Sequence, residues 1–285
     1  MNAASLPAAM PQPHIVDVLI AERAPRLTRS ALWPLVRPPL HGLLHYRAAR
    51  RMADAVADLS GREALEHVSA LLSLRTTATG TDNLPATGRC IVVSNHPTGI
   101  ADGLAMFDVV ETRRSDSIYF ANADALRVSS RLDEIVIPVE WVLDKRTREK
   151  TRHTLDAARA AFEAERCVVM FPAGRLARLE KGRLTDPDWA PTAISLSRKY
   201  GAPIVPVHMT GPASTLFHLF DRFSRELRDI TLFHEMLNKT GKPFHLTVGR
   251  PIPPQTFGPD AAAETQRLKT FIERALVHDP EAVFA

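Results

Sequence analysis

The stretch VVSNHPTGIADG, residues 92–103, places a histidine, His96, at the end of an apolar run and an aspartate, Asp102, six positions later. An imidazole within reach of a hydroxyl can take its proton near neutral pH. A carboxylate on the other ring nitrogen fixes the tautomer and stabilises the imidazolium that forms. Gly99, with the small Thr98 and Ala101, lets the chain fold back so that the two side chains meet. An aspartate in the first turn of a helix also complements the helix dipole. Spacing alone therefore fits an ordinary turn as well as a catalytic base. Asn95, just before His96, is suited to fix the turn through its amide or to meet a substrate.

A second group of chemistry-bearing residues is FPAGRLARLEKGR, residues 171–183. Phe171, Pro172, Ala173 and Gly174 close an apolar run with a turn. Arg175, Arg178, Lys181 and Arg183 follow, with Glu180 as the only acid. A strand-end turn followed by arginines suits recognition of a phosphate or another anion through charge-assisted hydrogen bonds. A solvated basic loop has the same composition, and this stretch alone does not separate the two.

The elements that must carry these groups follow from hydrophobic patterning. Residues 14–75 read as helical, punctuated by Pro34, Pro38 and Pro39. From about residue 85 short β-rich runs alternate with helical stretches. Strands are expected at 91–95, 117–122, 135–141, 167–172, within PIVPVHM (203–209), and at 245–252. Helices are expected after residue 102, near 129–134, over 147–166, over APTAISLSRKY (190–200) and over 262–278. Such alternation predicts an α/β fold, a mixed, largely parallel sheet flanked by helices, with an N-terminal helical region. The expected division is residues 1–80 for that region and 81–285 for the main domain. Sites in such sheets lie beyond the carboxyl ends of strands, where His96 and the segment after Phe171 both fall.

Composition narrows the partners. Lys plus Arg exceed Asp plus Glu by only four, but residues 1–51 hold seven arginines against Asp17 and Glu22. With Trp33, Leu35, Leu40, Leu43, Leu44 and Tyr46 nearby, this region suits an interfacial helix on an anionic membrane surface, or a helical cap on the core. No helix-turn-helix, zinc knuckle or ribonucleoprotein motif accompanies the charge, so no nucleic-acid partner is expected. The first 16 residues carry no charge and no basic segment precedes an apolar core, so a secretory signal peptide is not expected. The uncharged-rich run Tyr200–Phe220 contains three prolines and two glycines, reads as strand and loop, and is a poor membrane span. Cys90 and Cys167 each lead into an apolar run and read as buried, inert thiols in a reducing cytoplasm.

Taken together, Asn95-His96…Asp102, IVIPVE (135–140), FPAG (171–174) and IVPVHMTG (204–211) resemble in order the four blocks of the lysophospholipid and glycerolipid (PlsC-like) acyltransferase superfamily. The resemblance spans roughly residues 80–255. Two departures stand out. Five residues separate His96 from Asp102 where the family motif has four. Ala173, Arg175 and Leu176 replace the glutamate, threonine and first arginine of Phe-Pro-Glu-Gly-Thr-Arg. FPAG with a later Asp186-x-x-Trp189 and LNKTGKPFHLTVGRPIP (237–253) resembles a bacterial hemolysin-like subgroup related to ornithine-lipid acyltransferases.

The resemblance implies transfer of a fatty acyl group from acyl-CoA or acyl-carrier protein to the hydroxyl of a lysophospholipid or similar lyso-lipid. His96 would be the base and Asp102 would orient it. Asn95, Gly99, Phe171, Pro172, Gly174, Arg175 and Arg178 would line the substrate site, with Arg178 holding the anionic head group. Backbone amides at the Gly99 turn or near Gly174 are candidates to hold the oxyanion. No metal or redox cofactor is implied, the acyl thioester being a co-substrate. The expected location is the cytoplasmic side, peripheral on the inner face of the cell membrane. Two other readings share these residues: a thioester or lipid hydrolase using the same pair on water, without a Gly-x-Ser-x-Gly elbow, and a lipid-surface binding protein with a silent site.

Overall fold

The computed structural model describes residues 12–140, 146–174, 176–180 and 183–285, with only the main chain described at 178–180 and 183. Helices α1 (Ile15–Arg23), α2 (Pro25–Thr28), α3 (Trp33–Leu43), α4 (Tyr46–Val56) and α5 (Gly61–Leu72) open the chain. The start of α5 is written in its sequence: the Ser60 hydroxyl accepts from the Glu63 amide while the Glu63 carboxylate accepts from the Ser60 amide, a reciprocal cap. Its end is set by Ser73, in the left-handed region at φ 44°. The helical reading to residue 75 therefore overshoots, because β1 (Arg75–Thr79) begins there. This strand is polar, RTTAT, and half-exposed along its length, so it carries no apolar signal.

The remaining elements alternate strand and helix: β2 (Cys90–Ser94), α6 (Ile100–Val110), β3 (Ile118–Asn122), α7 (Ala125–Val128), β4 (Val136–Val139), α8 (Arg148–Glu163) and β5 (Cys167–Met170). The helix expected near 129–134 is a short 3-10 helix, Ser130–Glu134, preceded by α7. The basic stretch after β5 is more than a loop. It forms an antiparallel hairpin, β6 (Arg178–Glu180) with β7 (Arg183–Thr185), pairing Arg178 with Thr185. Then come α9 (Thr192–Tyr200) and β8 (Ile204–Thr210). Part of the run to Phe220 that reads as loop is instead the start of three short helices, α10 (Thr215–Asp221), α11 (Arg225–Asp229) and α12 (Leu232–Leu237). The chain closes with β9 (Pro243–Val248) and α13 (Ala261–Thr270), which runs on as a π-turn to Ala275. The expected strand 135–141 ends at Val139, and its last residue lies outside the described residues.

Among the described residues seven strands form one sheet in the order β1-β9-β8-β2-β5-β3-β4. The five strands from β8 to β4 are parallel. β9 runs antiparallel to β8 and carries β1 parallel to itself. Every residue of β2 is buried, as expected of a strand covered on both faces. Alternation along it feeds two cores. Val92 joins Leu104, Phe107, Val169 and the N-terminal residues Ala49, Met52, Val56 and Leu72. Ile91 and Val93 join Phe162, Val168, Ile194 and Leu268 on the other face. A third, smaller cluster (Ala24, Leu40, Leu44, Ile230) ties α2 and α3 to the helices after β8.

The connection after β2, α6, packs on the first face, and the connection after β5, α9, packs on the second. β2 and β5 are neighbours. Their loops part to opposite sides and leave a crevice at their carboxyl ends, the topological switch point where ligands of open α/β sheets bind.

Candidate active site

His96 follows β2 at this crevice. The His96 Nδ1 atom lies 2.9 Å from Asp102 Oδ2. Asp102 is the third residue of α6 and is fully buried. Its Oδ2 also accepts from the amides of Thr98 (2.9 Å) and Gly99 (3.0 Å), and its Oδ1 accepts from the Thr98 hydroxyl. A carboxylate at a helix N-terminus, receiving two main-chain N–H groups, is compensated for burial without a cation. With Nδ1–H directed at Asp102, Nε2 carries the free lone pair and is the basic nitrogen.

The extra residue between His96 and Asp102 does not part the pair. It is absorbed at Gly99, whose φ of 100° and ψ of −139° lie in a region open to glycine. A Cβ there would stand 3.1 Å from the Leu176 side chain.

Phe171, one residue beyond β5, stacks on the His96 ring with centroids 4.7 Å apart and planes 29° apart. Phe171 to Gly174 form a turn closed by the Gly174 amide donating to the Phe171 carbonyl at 3.0 Å, with Gly174 at φ 61°. Pro172 is buried, and its carbonyl accepts from the Ala190 amide at 3.1 Å. Phe171 and Pro172 also wall a cleft of about 280 Å³, completed on its apolar side by Phe120, Val139, Leu155 and Met170.

Other expected site residues are placed differently. Both polar atoms of the Asn95 side chain are engaged by the main chain of β8. Its Nδ2 donates to the Met209 carbonyl at 2.9 Å and its Oδ1 accepts from the Met209 amide at 2.7 Å, so the amide extends the β2–β8 pairing by one side chain. Of the main-chain amides at these two turns, the Gly99 N–H is held by Asp102 and the Gly174 N–H by Phe171. Arg175 lies outside the described residues. Arg178 has its main chain at the start of β6, and its side chain lies outside the described residues.

One residue that sequence spacing did not connect to His96 is Asp186. Both its carboxylate oxygens accept from the His96 amide, at 3.2 and 3.1 Å, and Oδ2 also accepts from the Trp189 indole at 3.0 Å. Burial holds the Asp186 carboxyl up at about 6, against the opposing attraction of His96. The only sequence sign of it was the Asp-x-x-Trp spacing. Ninety positions separate it from His96, and only the fold brings them together.

A family described as "Acyltransferase" matches residues 18–274. A protein of Phocaeicola vulgatus named lyso-glycine lipid O-acyltransferase is 30% identical over 203 residues, 69% of this chain and 71% of that protein. A protein of the same name from Bacteroides thetaiotaomicron is 27% identical over 248 residues, 85% of this chain and 89% of that one. The fold is similar to that of the 1-acyl-sn-glycerophosphate (LPA) acyltransferase PlsC from Thermotoga maritima, with a TM-score of 0.51 over 83% of this chain and 93% of that chain, at 14% identity. The match over nearly the whole length, on a largely parallel sheet whose switch point carries the motif residues, leads to one assignment: the chain belongs to the acyltransferase family and is a lipid O-acyltransferase.

Proposed function

We propose that this protein moves a fatty acyl group from the thioester of acyl-CoA or acyl-carrier protein to the hydroxyl of a lyso-lipid, with His96 as general base. The observation that carries this reading is the 2.9 Å contact of His96 with the buried Asp102 carboxylate. Nε2 takes the proton of the acceptor hydroxyl as its oxygen attacks the thioester carbonyl. The tetrahedral intermediate collapses with cleavage of the C–S bond, and the imidazolium returns the proton to the leaving thiolate. Asp102 keeps the tautomer and stabilises the imidazolium between the two transfers. The products are a lipid ester and a free thiol, and no acyl-enzyme is required because the thioester is already activated.

The acceptor we favour is a lyso-amino-acid lipid of the lyso-glycine type, the substrate class in the names of two relatives. Ala173 in place of the family glutamate fits an acceptor lacking glycerol phosphate. The head-group anion falls to Arg175 and Arg178, and the acyl chain to the apolar cleft beside Phe171.

The membrane face we assign is α3 with the helices after β8. Leu35 is 75% exposed and Phe223 76%, and Leu32, Leu43 and Leu219 are exposed with them. Exposed arginines, among them Arg29, Arg37, Arg222 and Arg225, border this apolar surface, which suits a peripheral position on an anionic cytoplasmic leaflet. Among the described residues no helix is long and apolar enough to cross a membrane.

The test is release of free thiol from a long-chain acyl-CoA and from acylated carrier protein, across lyso-glycine lipid, lyso-ornithine lipid and lysophospholipids. Wild type should release thiol only with an acceptor, and His96→Ala should lose at least a thousandfold. Acceptor-independent release would instead identify a thioesterase, and silence with every donor would leave a lipid-binding protein.

A further inference from the structure

Asp186 has no step in the proton transfer, yet both its carboxylate oxygens lie within hydrogen-bond distance of the His96 main chain. It follows β7 directly, and Ala177 precedes β6 directly. The Asp186 carboxylate accepts from the His96 amide. The Ala177 amide donates to the His96 carbonyl at 3.0 Å. Both main-chain groups of the histidine are therefore gripped by the two feet of one hairpin, the hairpin that begins with Arg178. Behind it, the buried Lys269 ammonium donates to the Asp186 carbonyl at 2.7 Å and to the Pro187 carbonyl at 3.3 Å.

A peptide N–H at a strand end needs only a neutral acceptor. Using a carboxylate there is expensive, because a buried charge is costly unless fully compensated. Asp186 is 4% exposed, and its described neighbours compensate poorly. Lys269 spends its hydrogen bonds on carbonyls rather than on the carboxylate, and Glu273 faces the site with the same sign of charge. Among the described residues, the positive partner that attracts the carboxylate is an imidazolium at His96.

We propose that the β6–β7 hairpin is a clamp on the catalytic histidine and that Asp186 is its positioning residue, holding the His96 main chain and adding a second buried negative charge behind the imidazolium. The proposal rests on the reading of His96 as base. A head group bound at the start of the hairpin would thereby steady the residue that activates its hydroxyl.

Asp186→Asn tests this, since it keeps the shape and removes the charge. With a long-chain acyl-CoA and lyso-glycine lipid at pH 7.5, the variant should melt at or above the wild-type temperature. Its kcat should fall ten- to a hundredfold while the acceptor KM changes less than threefold. The acid limb of its kcat profile should move to lower pH, because protonated His96 has lost a stabilising neighbour. Asp186→Glu, which keeps the charge on a longer arm, should retain more kcat than the asparagine variant. A kcat within threefold of wild type for Asp186→Asn overturns the proposal. So does an equal loss in both variants with lowered melting temperatures and an unmoved acid limb, the signature of a purely structural role. An inactive wild type would overturn the reading of His96 instead, so the two failures are distinguishable.

Discussion

Asp102→Asn separates the charge of the dyad from its architecture, and the hydrogen-bond pattern shows why. Asp102 Oδ2 receives three N–H donors, from the His96 ring, Thr98 and Gly99, whereas Oδ1 receives only the Thr98 hydroxyl. An asparagine amide has one good orientation: its carbonyl replaces Oδ2, and its NH₂ turns to the hydroxyl oxygen, which can accept. The loop and the histidine tautomer are then kept, and what disappears is the negative charge. With that charge about 4 Å from the centre of an imidazolium, and an effective dielectric of about 20, the pair is worth about 4 kcal/mol. A neutral hydrogen bond retains about 1 kcal/mol of this. The remaining 3 kcal/mol or so corresponds to roughly a hundredfold in kcat. Asp102→Ala would instead orphan buried donors at about 1–3 kcal/mol each and damage the fold with the chemistry. The assay is thiol release at saturating donor and acceptor, paired with thermal melting. The asparagine variant should melt within a few degrees of wild type and lose roughly a hundredfold in kcat. A loss below fivefold in a folded variant would refute the assignment of Asp102 as the electrostatic partner of the base.

Two further outcomes follow from the same geometry. Gly99→Ala forces a Cβ onto a backbone at φ 100° and against Leu176, at a cost of about 1–3 kcal/mol, and shifts an amide that Asp102 needs. The melting temperature should fall by a few degrees and kcat at least tenfold; a variant equal to wild type in both would show that the turn tolerates a side chain. The second concerns pH. Asp186 titrates at about 6 in the fold against 3.8 for a free aspartate, so between these values the folded state holds a proton that the unfolded chain releases. Its ionisation therefore costs the fold about 3 kcal/mol above pH 6, and that cost is relieved as pH falls from 6 toward 4. Urea midpoints at pH 5 and 7.5 should show Asp186→Asn gaining on wild type as pH rises; parallel changes in the two proteins would contradict this.

The strands of the parallel half were legible because a strand buried on both faces is written as an unbroken apolar run, as in Cys90–Ser94 and Cys167–Met170. Once those runs were placed, His96 and Phe171 fell at strand ends by simple counting. β1 escaped notice because an edge strand of alternating exposure, RTTAT, needs no apolar run. The helices after β8 escaped because they are short and bury their apolar residues against α2 and α3, about two hundred positions away, so no local periodicity announces them. The basic stretch read equally as solvated loop or anion site, and its folding into a hairpin depends on a pairing of only three residues.

The sequence by itself determined the α/β class, the position of His96 at a strand end and of Asp102 in the first turn of the next helix, because these depend on burial patterns and neighbours within a few residues. Tertiary structure decided what each group is free to do. It closed the His96–Asp102 contact across an extra residue through the backbone of Gly99. It spent the Asn95 amide on Met209, 114 positions away, and the Gly99 and Gly174 amides on local acceptors. It also set Asp186 against the His96 main chain. A residue type states which hydrogen bonds and charges are available, but burial and long-range pairing decide which are already used, and only the unused ones can meet a substrate.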